Sequence, residues 1–405
     1  MAIPDVQVVF AFDEGAGGAT NFFTLDDSVK GVLDNSIYTL GGAYSLVDVT
    51  QYVRSVSISR GSSRLLDRTQ AATANIVLDN RDRLFDPTAG TAISPYANSI
   101  VPRKNVQIVI NNEPIFTGLV DDWNLDFQRE DSTTTAACLD GFITLGQVTM
   151  STATRSAQTS GARVGAVLTE AAWPTSKRSI DTGEVTLQAD TPEEDTNVLD
   201  YLQRVNDTEF GAFFMSREGN ATFHDRATVQ DFGASTLIGG TGIPFETVTV
   251  DYGTETLYNS ITLSRVNGGT AVATDATSQT TYGVSDLSKS NLLFDDDTEM
   301  SDLASYLLSR YKDPLLRIQS VDVNMNALTT AQQKSIAAID IAAPLEVTFQ
   351  PTVGSAITQY ASLDRIEHTI TPANHRVRLS MSRAQASFIL DSAIFGVLDD
   401  DKLGF

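Results

Sequence analysis

Val53 to Pro87 runs VRSVSISRGSSRLLDRTQAATANIVLDNRDRLFDP, and this stretch decides the fold. Val56 and Ile58 alternate with serines, the period-two signature of a half-buried strand, and the acidic and glycine turn residues that bound the runs point to strands joined by tight turns. A second stretch, Leu257 to Tyr282 (LYNSITLSRVNGGTAVATDATSQTTY), repeats the alternation at Ile261 and Leu263 and reads as strand material over its whole length. Neither stretch carries a nucleophile, a general base or a set of metal ligands. Both read as material for assembly.

Working outward, turn residues recur at short intervals up to about Val148: Arg60-Gly61, Asp79-Asn80, Asp86-Pro87, Asn111-Asn112 and Asp121-Asp122. The strand-like runs Val106 to Ile110, Ile115 to Val120 and Thr133 to Leu139 lie between them, so residues 47–150 are expected to form a small β-barrel. Upstream, residues 1–46 alternate short apolar patches with Gly and Asp, including Gly15 to Gly18, and read as strands on an extended arm outside a compact core.

The period changes after Ser151. Val164, Val167, Leu168 and Ala171 share one helical face, and Val198, Leu199, Leu202 and Val205 share another behind an N-cap at Thr196 or Asn197. Phe210 to Met215 and Ala221 to His224 flank the turn Arg217-Glu218-Gly219-Asn220, which makes residues 151–230 a small α/β domain. Strand patterning returns near Phe245 to Val266, Ile318 to Met325, Leu345 to Phe349 and Val377 to Met381. A helix at Asp302 to Tyr311, stopped by Asp313-Pro314, interrupts it. Residues 231–385 are therefore expected to form a second barrel with helical insertions, and 386–405 a docking segment. The fold class is mainly β with α+β elements: two β-barrel-like domains around a small α/β domain, with extended N- and C-terminal segments.

Composition excludes several functions. With 51 acidic and 28 basic residues in 405, the chain carries a formal charge of −23. That sign opposes binding to nucleic-acid phosphates. Cys138 is the only cysteine, so an intrachain disulfide or a thiol pair is impossible, as suits a reducing compartment. The start Met1-Ala2-Ile3-Pro4-Asp5 has no basic and apolar leader pattern, and no apolar run approaches the ~18 residues of a membrane span. A soluble chain made in the cytosol is expected.

Catalytic constellations are missing. His224, His368 and His375 are the only histidines, and none stands in an H-E-x-x-H arrangement. His368 and His375 flank the turn Thr371-Pro372-Ala373-Asn374 and could approach across a hairpin, but they are expected as surface residues. Asp295-Asp296-Asp297-Thr298-Glu299 lacks the spacing of a calcium loop and sits where acids cap a helix and complement its dipole. Asp121 and Asp122 beside Trp123 suggest a sugar-cleaving pair, yet adjacent strand residues point to opposite faces. No phosphate-binding, dinucleotide or G-x-S-x-G sequence occurs. No catalytic, cofactor or metal residue is assigned, and no cofactor is expected.

One motif occurs twice. Phe23-Thr24-Leu25-Asp26 with Val29, Gly31, Val32, Leu33 and Asp34 matches Phe388-Ile389-Leu390-Asp391 with Ile394, Gly396, Val397, Leu398 and Asp399. Phe23, Leu25, Val29, Val32 and Leu33, and their counterparts Phe388, Leu390, Ile394, Val397 and Leu398, are candidate interface residues for docking on neighbouring chains or domains.

The combination of Val53 to Gly61, Leu66-Asp67-Arg68 and Ile76-Val77-Leu78-Asp79-Asn80-Arg81-Asp82-Arg83-Leu84-Phe85-Asp86-Pro87 resembles minor tail proteins of long-tailed bacteriophages, especially those infecting actinobacteria. Pro114 to Val120, Glu218 to Phe223 with Asp225-Arg226, Tyr258 to Leu263 with Tyr282-Gly283, and Leu303 to Tyr311 are similar to successive parts of tail-tip and baseplate hub proteins. The resemblance runs from about Val47 to Met381, and it lies in turns and strand ends. It implies two related β-barrels per chain, with three chains forming a ring of six barrels. It further implies partners in the distal tail or tail tube protein, the tape measure protein and other minor tail proteins, and passage of DNA without specific binding. The expected location is the virion tail tip after synthesis in the host bacterial cytoplasm. No wall-degrading segment of the kind some tail-tip proteins carry is present. Two rival readings are an adhesin that stacks host glycans on Trp123, Trp173 or tyrosines, and a polysaccharide depolymerase whose acids converge from distant strands.

Overall fold

The computed structural model describes residues 4–12, 46–62, 67–231 and 235–383. All ten candidate interface residues of the repeated motif lie outside them.

Seven strands follow one another in the first strand-rich module: β1 (Val6–Ala11), β2 (Leu46–Asp48), β3 (Val53–Gly61), β4 (Gln70–Asp79), β5 (Asn105–Ile110), β6 (Glu113–Phe127) and β7 (Ser132–Leu139). Alternate side chains, such as Val56 and Ile58, Ala74 and Ile76, and Ala136 and Cys138, are buried, as a sheet with one covered face requires. The reading of residues 1–46 as an outlying arm is corrected for its first strand. β1 pairs with β2 and β5, and Phe10 is fully buried with its ring 5.5 Å from Phe12 and 5.4 Å from Trp123. Val6, Val8 and Phe10 have strand alternation of their own, which the glycine-rich sequence that follows obscured.

The middle of the chain supplies helices α1 (Ser160–Glu170) and α2 (Val198–Glu209), and the hairpin of Ala212–Met215 with Ala221–His224. Asn197 caps α2, its Oδ1 accepting from the Asp200 amide at 2.7 Å. Next come β8 (Thr236–Gly239) and β9 (Thr247–Asp251), then a separate three-stranded sheet of Ser260–Arg265, Thr270–Thr274 and Asp286–Leu292. Two expectations change here. Ala276–Tyr282 is a helix, started by Asp275 Oδ1 accepting from the Ser278 amide at 2.9 Å. The three-stranded sheet does not join a second barrel: Ile261 and Leu263 pack with Val167, Leu202 and the long helix α3 (Asp297–Tyr311) in the core of the middle unit. Helix α3 begins five residues earlier than Asp302, because Asp296 supplies the cap.

The second strand-rich module is completed by β10 (Arg317–Asn324), α4 (Thr330–Ala337), β11 (Pro344–Phe349), β12 (Ile357–Thr371) and β13 (Asn374–Arg383). The two modules share one thirteen-stranded sheet in the order β9-β10-β13-β12-β3-β4-β7-β6-β5-β1-β2, with β11 on the first half of β12 and β8 beyond it. The fold is mainly β, as expected. Among the described residues no pairing closes either module into a barrel, since none links β2 to β3 or β8 to β9; the short helical turn Thr50–Tyr52 separates β2 from β3.

The modules meet through backbone. β3 and β12 run antiparallel in register from Gly61 opposite Arg365 to Val56 opposite Ile370. One hydrophobic core runs beneath both, from Phe10 and Ile108 to Val347 and Leu379. Across it Asn111 Nδ2 donates to Gln333 Oε1 at 2.8 Å, tying the β5–β6 turn to α4.

Candidate functional site

Strand alternation that buries one face must present the other. On β3 and β4 the uncovered residues are Ser57, Ser59, Thr73 and Asn75; on β12 and β13 they are Glu367, Thr369, Arg376 and Arg378; on β9 and β10 they are Thr247 and Asp322. These side chains line a single open depression that crosses the joint between the modules. Beyond it, Thr133 and Thr135 of β7 and Asn124 and Asp126 of β6 extend the same polar face. Small hydroxyl and amide groups dominate it, and it presents no apolar patch of the kind that marks a sticky surface.

Its cations are held by oxygen ligands. Arg378 grips Asp322 with Nε at 2.7 Å and Nη2 at 3.0 Å, which holds the Asp322 carboxyl below the usual range. Arg365 donates to Ser59 Oγ at 3.0 Å from Nε and 2.7 Å from Nη2, and lies 3.2 Å from Glu367. Arg376 is 3.4 Å from Glu246. Each of these arginines is thus paired with a carboxylate.

A polar node locks the face to the rest of the molecule. Buried Arg60, at the end of β3, donates from Nη2 to Met215 O at 3.0 Å and to Asp340 Oδ1 at 2.5 Å. Asp340 Oδ2 accepts from the Arg217 amide at 2.9 Å, and Arg217 Nη1 reaches Glu113 Oε2 at 3.1 Å. Both modules and the middle hairpin converge there. Sequence reading missed this node because its members are scattered over 280 positions between Arg60 and Asp340.

The residues weighed for chemistry take other roles. His368 and His375 do approach across the hairpin, Nδ1 to Nε2 at 3.1 Å, but they are buried in the core and not on the surface. They occupy inward positions of β12 and β13, and burial pushes His368 well below its ordinary range and His375 down to about 4. Asp296 and Asp297 serve the start of α3: Asp296 Oδ1 accepts from the Thr298 amide at 2.5 Å, and Asp297 accepts from the Gly269 amide at 3.1 Å while pairing with Arg265. Among the described residues no cluster of three His, Cys, Asp or Glu could hold a metal ion. A bulge at Asp121 separates it from Asp122 in the β6–β7 ladder. Trp123 and Trp173 pack against the two cores, and their indole N–H groups donate to Val101 O at 3.0 Å and Lys177 O at 2.8 Å. Cys138 is buried, and burial raises its thiol far above the reactive range. No described helix is long and apolar enough to cross a membrane.

Comparison with known proteins finds likeness in fold and not in sequence. No family model matches the chain, and no curated protein matches it. Among solved structures, the 43 kDa tail protein of prophage MuSo2 from Shewanella oneidensis superposes with a TM-score of 0.57 at 15% identity, over 85% of this chain and 95% of that one. A tail protein from Neisseria meningitidis MC58 gives a TM-score of 0.56 at 11% identity, over 84% and 94% of the two chains. The chain has the fold of these tail proteins.

Proposed function

We propose that this chain is a structural, non-enzymatic component of a bacteriophage tail tip, a hub subunit whose polar sheet face lines the tail channel. One observation carries the reading: a continuous hydroxyl-rich face crosses the β3–β12 joint, forms a depression, and has a full hydrophobic core behind it. Eight strands, β9-β10-β13-β12-β3-β4-β7-β6, carry that face. At about 4.8 Å between strands, three copies of this arc would close a wall of about 115 Å around a conduit roughly 37 Å across, between backbones. A homotrimer would thus present six strand-rich modules to the distal tail or tube protein on one side and to further minor tail proteins on the other. Its lumen would pass the tape measure protein and then DNA.

The charge of the chain suits that role. A wall of Ser, Thr and Asn with paired arginines, on a protein of formal charge −23, gives phosphates nothing to hold. The location that follows is the virion tail tip. The repeated segments around Phe23 and Phe388 are proposed to dock on neighbouring tail components; a chain ending before Phe388 would then fold normally but fail to enter tails.

Placing large cations on the wall tests the reading. Phages carrying Ser57→Arg with Thr369→Arg should assemble complete tails and release DNA at least ten times more slowly, with the deficit relieved by high salt. Unaltered ejection kinetics from fully assembled particles would remove this face from the channel.

A further inference from the structure

The two hydrophobic cores enclose a cavity of about 140 Å³ where they meet. Leu303, Tyr306 and Leu307 of α3 face it from the core of the middle unit, and Ile341 and Leu363 face it from the core beneath the thirteen-stranded sheet. None of the five is more than 7% exposed. An apolar cavity of roughly 150 Å³ accommodates a benzene ring. This one therefore has the size and the lining for a single phenyl side chain.

β13 leads the chain to it. Ser382, opposite Ser362, and Arg383, opposite Ala361, are the last two residues of that strand, and both line the cavity. The sequence that follows is Ala384-Gln385-Ala386-Ser387-Phe388-Ile389-Leu390-Asp391, which opens the second copy of the repeated motif. Four small or polar side chains come first, and then a phenyl ring. At no more than about 3.5 Å per residue, Phe388 has a reach of roughly 18 Å from Arg383.

The other copy of the motif starts from elsewhere. Phe23 follows β1, and β3, β4, β7, β6 and β5 stand between β1 and β12 in the sheet order. A short tether decides between a chain's own segment and a neighbour's as well. Joined to the cavity rim through so few residues, Phe388 has an effective concentration there in the ~mM range, against which a segment arriving from another chain has to compete.

We propose that Phe388 seats its ring in this cavity of its own chain and so anchors the C-terminal segment at the seam between the two cores. The second half of the motif, with Val397 and Leu398, then leaves from a fixed point to dock on a neighbouring tail component. This rests on the docking role given above to the Phe388 segment and names its anchor. The ring fills space that two complete cores already surround, so its loss removes the burial of one side chain and leaves both cores folded.

Two measurements on the full-length protein test the anchor. Phe388→Ala should lower the melting temperature by about 4 °C, and benzene should restore part of that loss in the variant while leaving the parent unmoved. Half-buried Val229 also lines the cavity, and the native Cys138 is buried away from reagent. Val229→Cys/Ile389→Cys protein treated with a short bis-maleimide should therefore yield one linked peptide pair at monomer mass. A benzene response in the parent, or no linked pair, overturns the anchor. Pairs found only in dimers overturn it as well, by giving the cavity to a neighbour's segment. Adding Val397→Asp/Leu398→Asp should keep the linked pair and exclude the chain from tails. Entry into tails at the parental level would overturn the docking role and leave the anchor standing.

Discussion

Arg60 and Asp340 meet at 2.5 Å, an ion pair between the end of the joining strand of one module and the loop after α4 of the other, with Arg60 3% and Asp340 23% exposed. Arg60 also donates to Met215 O, so one guanidinium holds three parts of the chain. Removing one member of a buried pair strands the other's charge, which costs more than the pair contributes. Arg60→Ala should lower unfolding free energy by about 3 kcal/mol in urea titration. In Asp340→Asn the one amide oxygen keeps only one of the two contacts, to Arg60 or to the Arg217 amide, and its NH2 faces the other donor, so that variant should lose stability as well.

Gly61 sits opposite Arg365 with φ of +110°. A Cβ there would stand 2.0 Å from Asp364 O and 2.9 Å from Arg365 Cα, both backbone atoms that cannot swing aside. Gly61→Ala should cost about 3 kcal/mol through backbone strain and overpacking. Hydrogen exchange should accelerate first in Val56 to Arg60 and in Arg365 to Ile370. Equal protection in variant and parent would mean that the joint tolerates separation.

Much of this was legible in the sequence, and the limits have physical causes. Alternation at Val106 to Ile110 and Thr133 to Leu139 located strands, and the spacing of Val164, Val167 and Leu168 located α1, because each segment buries one face. Polarity misled at Ala276–Tyr282, where threonines and serines suit strand or helix and the Asp275 cap decided. Pairing between distant strands leaves almost no local mark. The same is true of the candidate site, whose serines and threonines look ordinary until β3 and β12 set them side by side.

Asp364 occupies the β12 bulge beside a cavity of about 140 Å³ between the two cores, where Leu303, Leu307, Ile341 and Leu363 face it. Burial pushes its carboxyl up to about 7, against one hydrogen bond from Ser382 Oγ at 3.0 Å. With a folded value above the unfolded one, the group stabilises the fold below pH 4 and loses that contribution as pH rises through 7. Asp364→Asn should therefore raise stability at pH 8 by on the order of 2 kcal/mol and change little at pH 4. Equal effects at both pH values would show that the carboxyl is ionised within the fold.

The His368–His375 pair acts in the opposite sense. Both rings lie in the core joined by one hydrogen bond, and among the described residues His375 Nδ1 has no partner and no carboxylate bonds either ring. Arg60 adds a further positive charge near His368. Unfolded, each histidine takes up a proton near pH 6.5; folded, His375 resists until about 4, and burial holds His368 well below its ordinary range. Below pH 6.5 the unfolded chain therefore binds protons that the folded chain refuses, and stability falls with falling pH until about pH 4. The His375 share of that loss is roughly 3 kcal/mol. Unfolding in urea at pH 7.5 and pH 4.5 should show His368→Leu/His375→Phe gaining stability over the parent only at the lower pH. A constant difference at the two pH values would mean that the pair is charged or solvated within the sheet, and that the core behind the polar face admits water at the hairpin.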